Sequence, residues 1–164
     1  MLKRLLVVIF ILLHALLLQA QQKESASAPG TPAVHISAVN RADLIAYAKL
    51  FLGTRYHSGS YNPQKGFDCS GFVYHVFKKF KVPLPRSSGE YQALGKALKP
   101  EDFKVGDVLV FYGYKDSSII GHVGIICEAD GMKSRFIHSS SGKAYGVTIS
   151  DLDSKMYHRR FYKW

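Results

Sequence analysis

Cysteine is scarce in this chain: two in 164 residues, Cys69 and Cys127. So few thiols exclude a disulfide-dense scaffold, and their unrelated neighbourhoods argue against a structural zinc site. Acid is also scarce, with 12 Asp and Glu against 22 Lys and Arg, for a formal net charge of +10. That balance favours anionic surroundings such as wall polymers, lipid head groups or nucleic acid. There is no internal repeat and no low-complexity array. No apolar run reaches the roughly 20 residues that a membrane-spanning helix needs; the longest, Leu5 to Leu18, is interrupted by His14.

That run has a different meaning. Lys3 and Arg4 precede it, and Gln19-Ala20 and a polar stretch follow it, which is the layout of a secretory signal with cleavage expected after Ala20. No cysteine follows the run, so a lipid-modified N-terminus is not expected. Residues 21–39, rich in Gln, Ser, Ala and Pro, read as a flexible linker. A single folded domain is expected over 40–164, exported to the periplasm or the medium. Export argues against nucleic acid as the partner of the positive charge.

Within the domain, Asn40 can cap a helix carrying Leu44, Ala48, Phe51 and Leu52 at helical spacing, with Asp43 in its first turn and Gly53 as its stop. A loop rich in Gly, Asn, Pro and Ser leads to Phe67-Asp68-Cys69-Ser70-Gly71-Phe72, which opens a second helix. Its core stripe is Phe72, Val73, Val76, Phe77 and Phe80, with His75, Lys78 and Lys79 pointing elsewhere. Val82-Pro83-Leu84-Pro85 ends it, and a short helical piece is expected from Glu90 to Leu98. Beyond Gly106 come five short runs of β-formers: 108–112, 122–127, 135–139, 147–150 and 159–164. Helices first and strands afterwards predict an α+β fold, with N-terminal helices packed on an antiparallel sheet of about five to six strands.

Cys69 is informative through its position. In the first turn of a helix, orphan backbone N–H groups and the positive end of the dipole favour a thiolate, although Asp68 beside it opposes that effect. The alternative is a buried structural thiol, the more common fate of a free cysteine. His122 sits at the mouth of a strand between Gly121 and Val123, where an imidazole can meet a thiol on a facing helix; a strand-end histidine bonded to backbone is the alternative. His138 lies on the next expected strand, close enough in an antiparallel pair to orient His122. Each signal is weak, but together they describe one nucleophile, base and orienting group. Cys127, inside an apolar run, reads as an inert buried thiol. Ser70 and Ser87 lack the glycine-flanked elbow of a serine nucleophile. His35, His75 and His158 suggest no ligand set, so neither a metal nor another cofactor is expected.

Gly53-Thr54-Arg55-Tyr56, Gly66 to Phe72, Leu84-Pro85-Arg86-Ser87-Ser88, Val105-Gly106-Asp107, Gly121 to Ile125 and Phe136 to Ser139 follow one another in order. In this set and order, the chain from about Asn40 to Trp164 resembles the NlpC-type cell-wall peptidases of the papain-like superfamily. The resemblance implies hydrolysis of the bond between D-γ-glutamate and a diamino acid, usually meso-diaminopimelate, in peptidoglycan stem peptides. It places the catalytic cysteine on Cys69, the histidine on His122 and the third polar residue on His138. Tyr56, Asp68 and Ser70 match substrate-binding positions, the last two near a free L-Ala amine. The glycine pair often found after the tyrosine is replaced by Ser58-Gly59-Ser60. The expected partners are stem peptides, and the expected protein is a monomer without a stable membrane anchor once the signal is removed. An amidase or acyltransferase of the same superfamily, or a catalytically idle wall-binding protein, are the competing readings.

Overall fold

The structure, a computed structural model, describes residues 39–162. The expected signal and almost all of the linker lie outside those residues. Helix α1 (Arg41–Lys49) starts as its sequence requires: the Asn40 side chain accepts from the Ala42 and Asp43 N–H groups at 2.9 and 3.3 Å. Leu44, Ile45 and Ala48 are its buried residues. Phe51 and Leu52 lie in the turns beyond it, and Leu52 is 46% exposed, so the stripe is shorter than the periodicity suggested.

A two-stranded antiparallel hairpin follows, β1 (Tyr61–Asn62) and β2 (Gly66–Phe67), and then helix α2 (Cys69–Lys79). Phe72, Val73, Val76 and Phe77 of α2 are wholly buried, as the stripe predicts. His75 does not turn away to solvent. Its Nε2 lies 3.1 Å from the Tyr47 hydroxyl and its ring packs among Phe51 and Phe67, tying α1 to α2. Of the helical piece expected from Glu90 to Leu98 only a 3-10 helix over Ser88–Ala93 forms, and a second 3-10 turn, Pro100–Asp102, lies beyond it. The stretch between them is broken at Gly95, whose φ is positive.

The main sheet is β3 (Val108–Tyr112), β4 (Ile120–Glu128), β5 (Arg135–Ser140) and β6 (Gly146–Asp151), antiparallel and in that order. These strands lie where the β-forming runs predict them, and the α+β class holds. Among the described residues the expected fifth strand, 159–164, does not form. Residues Lys155–Arg160 are helix α3, and only Phe161 makes an isolated bridge to Phe111 before Tyr162 donates to the Val110 carbonyl. The aromatic tail raises β propensity, but its rings are used to cover a sheet face.

Strand alternation gives the sheet two buried faces. Val123, Ile125 and Ile137 pack with α1 and α2 on one, while Leu109, Phe111, Ile126 and Phe136 pack with Leu152 and Tyr157 on the other. Two glycines permit close approaches near the start of β4. A Cβ on Gly121 would lie 2.6 Å from the Gly113 Cα, and one on Gly124 would lie 2.5 Å from Phe136 Cδ2 and 3.0 Å from His138 Cβ. Gly124→Ala is therefore expected to overpack the sheet and destabilise the protein by about 1–3 kcal/mol. A urea midpoint equal to that of the wild type would show that Phe136 and His138 can yield.

Candidate active site

The site begins with the cap of α2. Asp68 Oδ1 accepts from the Gly71 N–H at 2.6 Å, and the Asp68 N–H is fixed by the Ser60 carbonyl at 3.0 Å. Cys69 is thereby set in the first turn and is nearly buried, at 9% exposure. Its Sγ lies 4.0 Å from the Gly121 carbonyl, and the Val123, Ser70 and Cys69 N–H groups face it. Gly121 and Val123 bracket His122, so the thiol rests against the backbone that carries the imidazole.

His122 shares strand parity with Ile126 and stands on the second face of the sheet, against Phe111 and Tyr157. Its Nε2 is 2.9 Å from His138 Nδ1 on the neighbouring strand. That contact engages Nε2 of the His122 ring. His138 is completely buried, and its Nε2 meets Ser150 Oγ at 3.0 Å and the Tyr157 hydroxyl at 3.4 Å. The structure thus sets the Cys69 thiol against the backbone on either side of His122, and the His122 and His138 rings against each other.

The electrostatics differ from the helix-dipole expectation. Burial, followed by the charge of Asp68, pushes the Cys69 thiol up from its ordinary value, and the backbone N–H groups do not offset this. Burial pushes His122 well down, with further contributions from His138 and Arg160. Burial and then Arg160 bring His138 down to about 3. Both shifts favour the uncharged forms, a thiol at Cys69 and an imidazole at His122.

Tyr56 stands at the rim. Burial and the neighbouring Cys69 and Asp68 raise its pKa, and its ring lies 5.8 Å from that of Tyr145. Asp68 does more than cap. Arg86 grips it with a two-pronged fork, Nη1 to Oδ1 at 2.9 Å and Nη2 to Oδ2 at 2.7 Å, and Nη1 also donates to Ser70 Oγ at 3.1 Å. Arg86 belonged to a recognised motif, yet nothing in the sequence paired it with Asp68, 18 residues earlier in the chain. Tyr91 was also missed; it is buried, donates to the Pro85 carbonyl at 3.1 Å, and has its pKa raised by burial and by Cys69. Cys127 is buried, as its apolar run predicted, and its thiol donates to the Arg135 carbonyl at 3.4 Å. Among the described residues no cluster of three or more His, Cys, Asp or Glu could hold a metal ion. No described helix is long and apolar enough to cross a membrane.

A thiol at a buried helix start, an imidazole on the strand beside it and a second imidazole behind that one form the arrangement of a papain-like thiol hydrolase. More particularly, the chain belongs to the NlpC/P60 family, whose pattern matches residues 53–164. Among its relatives, the Gamma-DL-glutamyl hydrolase of Bacillus subtilis is 33% identical over 114 residues, which cover 70% of this chain and 26% of that protein. The Murein DD-endopeptidase MepS/Murein LD-carboxypeptidase of Escherichia coli is 34% identical over 110 residues, covering 66% of this chain and 53% of that one. The chain therefore aligns with about half or less of either relative. Among solved structures, an NlpC/P60 family protein from Bacillus cereus superposes with a TM-score of 0.66 at 30% identity, covering 75% of this chain and 38% of that one.

Proposed function

We propose that this protein is an exported peptidoglycan endopeptidase that hydrolyses the D-γ-glutamyl–diamino acid bond of stem peptides, with Cys69 as nucleophile, His122 as base and His138 as its orienting group. On this reading residues 40–164 are the peptidase domain, delivered by a cleaved signal over 1–20 and a linker over 21–39. The observation that carries it is the Cys69 thiol lying against the β4 backbone on both sides of His122, whose Nε2 is held by His138.

In the first step Cys69 Sγ attacks the γ-glutamyl carbonyl as His122 Nδ1 takes the thiol proton. His122 then delivers that proton to the departing amine of the diamino acid as the C–N bond breaks and a thioester remains. Water, deprotonated by His122, attacks the thioester, and the proton returns to the sulfur. N–H groups at the start of α2 are suited to receive the oxyanion, with the Tyr56 hydroxyl as a second donor. Mass spectrometry of purified stem peptides after incubation tests the assignment. Release of L-Ala-D-Glu supports it, and cleavage only at another bond replaces it.

The same reading assigns end recognition to Asp68 and Ser70. Arg86 and the Gly71 N–H already engage the Asp68 carboxylate, and an acceptor position on Oδ2 remains for the ammonium group of L-Ala. The kcat/KM for L-Ala-γ-D-Glu-diaminopimelate is expected to exceed that for its N-acetylated form about tenfold or more, because acetylation removes the charge. Asp68→Asn should bring the ratio close to one. Equal turnover of both peptides by the wild type defeats this recognition, and a ratio unchanged in Asp68→Asn moves it to another residue.

A further inference from the structure

His138 is wholly buried, and its ring has two polar neighbourhoods: His122 at Nδ1, and two hydroxyls at Nε2. The hydroxyls belong to Ser150 on β6 and Tyr157 on α3, and the Ser150 and Ser140 hydroxyls face the Tyr157 oxygen. Neither Ser150 nor Tyr157 lies in any of the motifs recognised in the sequence.

Proton counting makes this neighbourhood consequential. A contact of 2.9 Å between two neutral imidazole nitrogens holds one proton, carried either by His122 Nε2 or by His138 Nδ1. In the second case His122 carries its proton on Nδ1, and it has no lone pair for the thiol. In the first case Nδ1 of His122 is bare and competent, and His138 must carry its own proton on Nε2. A buried Nε2–H requires an acceptor. Ser150 Oγ at 3.0 Å is placed to be that acceptor, with the Tyr157 oxygen at 3.4 Å behind it.

We propose that Ser150 and Tyr157 are positioning residues that hold His138 as its Nε2–H tautomer, so that His138 Nδ1 accepts from His122 Nε2–H and His122 Nδ1 stays bare for the Cys69 proton. The proposal rests on the catalytic reading of Cys69, His122 and His138. It follows that the active tautomer of a residue on β4 is set from β6 and α3, two steps away through the hydrogen-bond chain. Arg160, on α3, acts against a positive charge on either ring and so keeps the chain at one shared proton. When His122 becomes an imidazolium during turnover, its Nε2–H still donates to His138, which stays neutral.

The test uses the full chain with 15N-labelled histidine. At pH 7 the wild type should show His138 protonated at Nε2 and bare at Nδ1, and His122 protonated at Nε2. Ser150→Ala combined with Tyr157→Phe should populate the opposite tautomer of both rings and lower kcat on the stem tripeptide about 10- to 100-fold with little change in KM. Ser150→Thr, which keeps a hydroxyl, should restore both readouts. If the double variant does not fold, the tautomer ratio in Ser150→Ala alone decides. A wild type with the proton on His138 Nδ1, or variants with unchanged tautomer and kcat, overturn the proposal. The NMR readout needs no turnover, so it also stands in Cys69→Ala. A Cys69→Ala protein that still cleaves would instead overturn the catalytic reading beneath it.

Discussion

Cys69→Ala should lower kcat on stem peptides by on the order of 10⁵-fold or more, and His122→Asn should do nearly the same. The expectation follows from how the two groups divide one event. Without the sulfur no thioester can form; without His122 the thiol has no partner to take its proton, and burial beside Asp68 already opposes its spontaneous ionisation. Because both act in one step, a double variant should be scarcely worse than either single one, and additive losses would show that they act separately. The fold should survive. Cys69 is small and lies at the edge of the core, and Asn at position 122 retains a polar group toward His138. Thermal melting of each variant guards against loss of activity through unfolding. Wild-type turnover by either variant removes the assignment of nucleophile and base.

Acid should destabilise the protein through the same histidines. His138 titrates near 3 when folded, because burial and then Arg160 oppose its charge, against an ordinary value of 6.5. Below 6.5 the unfolded chain takes up a proton that the folded chain refuses. The stabilisation is thus complete above that pH and is lost progressively as pH falls toward 3. Its full extent is roughly 4–5 kcal/mol, of which about 2 kcal/mol is lost between pH 7 and pH 5. His122 is displaced in the same direction and shares the effect. Urea unfolding at pH 7 and pH 5 should therefore show a larger loss in the wild type than in His138→Asn, which has no proton to gain at that position. Parallel losses in the two proteins would place the acid sensitivity elsewhere.

Much of this was legible in the sequence because it is encoded locally. Asn40 and Asp68 announce their helices by capping chemistry, the stripe from Phe72 to Phe77 has helical period, and β3 to β6 are runs of β-formers bounded by turn residues. Cys69, His122 and His138 could be grouped because each lies at a recognisable position on such an element. The long-range polar contacts were hidden. Arg86 on Asp68 and Ser150 on His138 are side-chain pairings across 18 and 12 residues, which no periodicity records. The final helix misled for a physical reason as well. Aromatic residues at 157, 161 and 162 have strand propensity, but burying Tyr157 against Phe111 and Phe136 favours a helix lying on the sheet.

The position of α3 has a consequence for local opening of the folded molecule. The second face of the sheet is closed by Leu152, Tyr157 and Phe161, and the Tyr157 ring stacks against His122 and meets His138 edge-on. Helix α3 has only six residues, so fraying of this one short element would let water reach both imidazole rings while α1 and α2 stay packed on the first face.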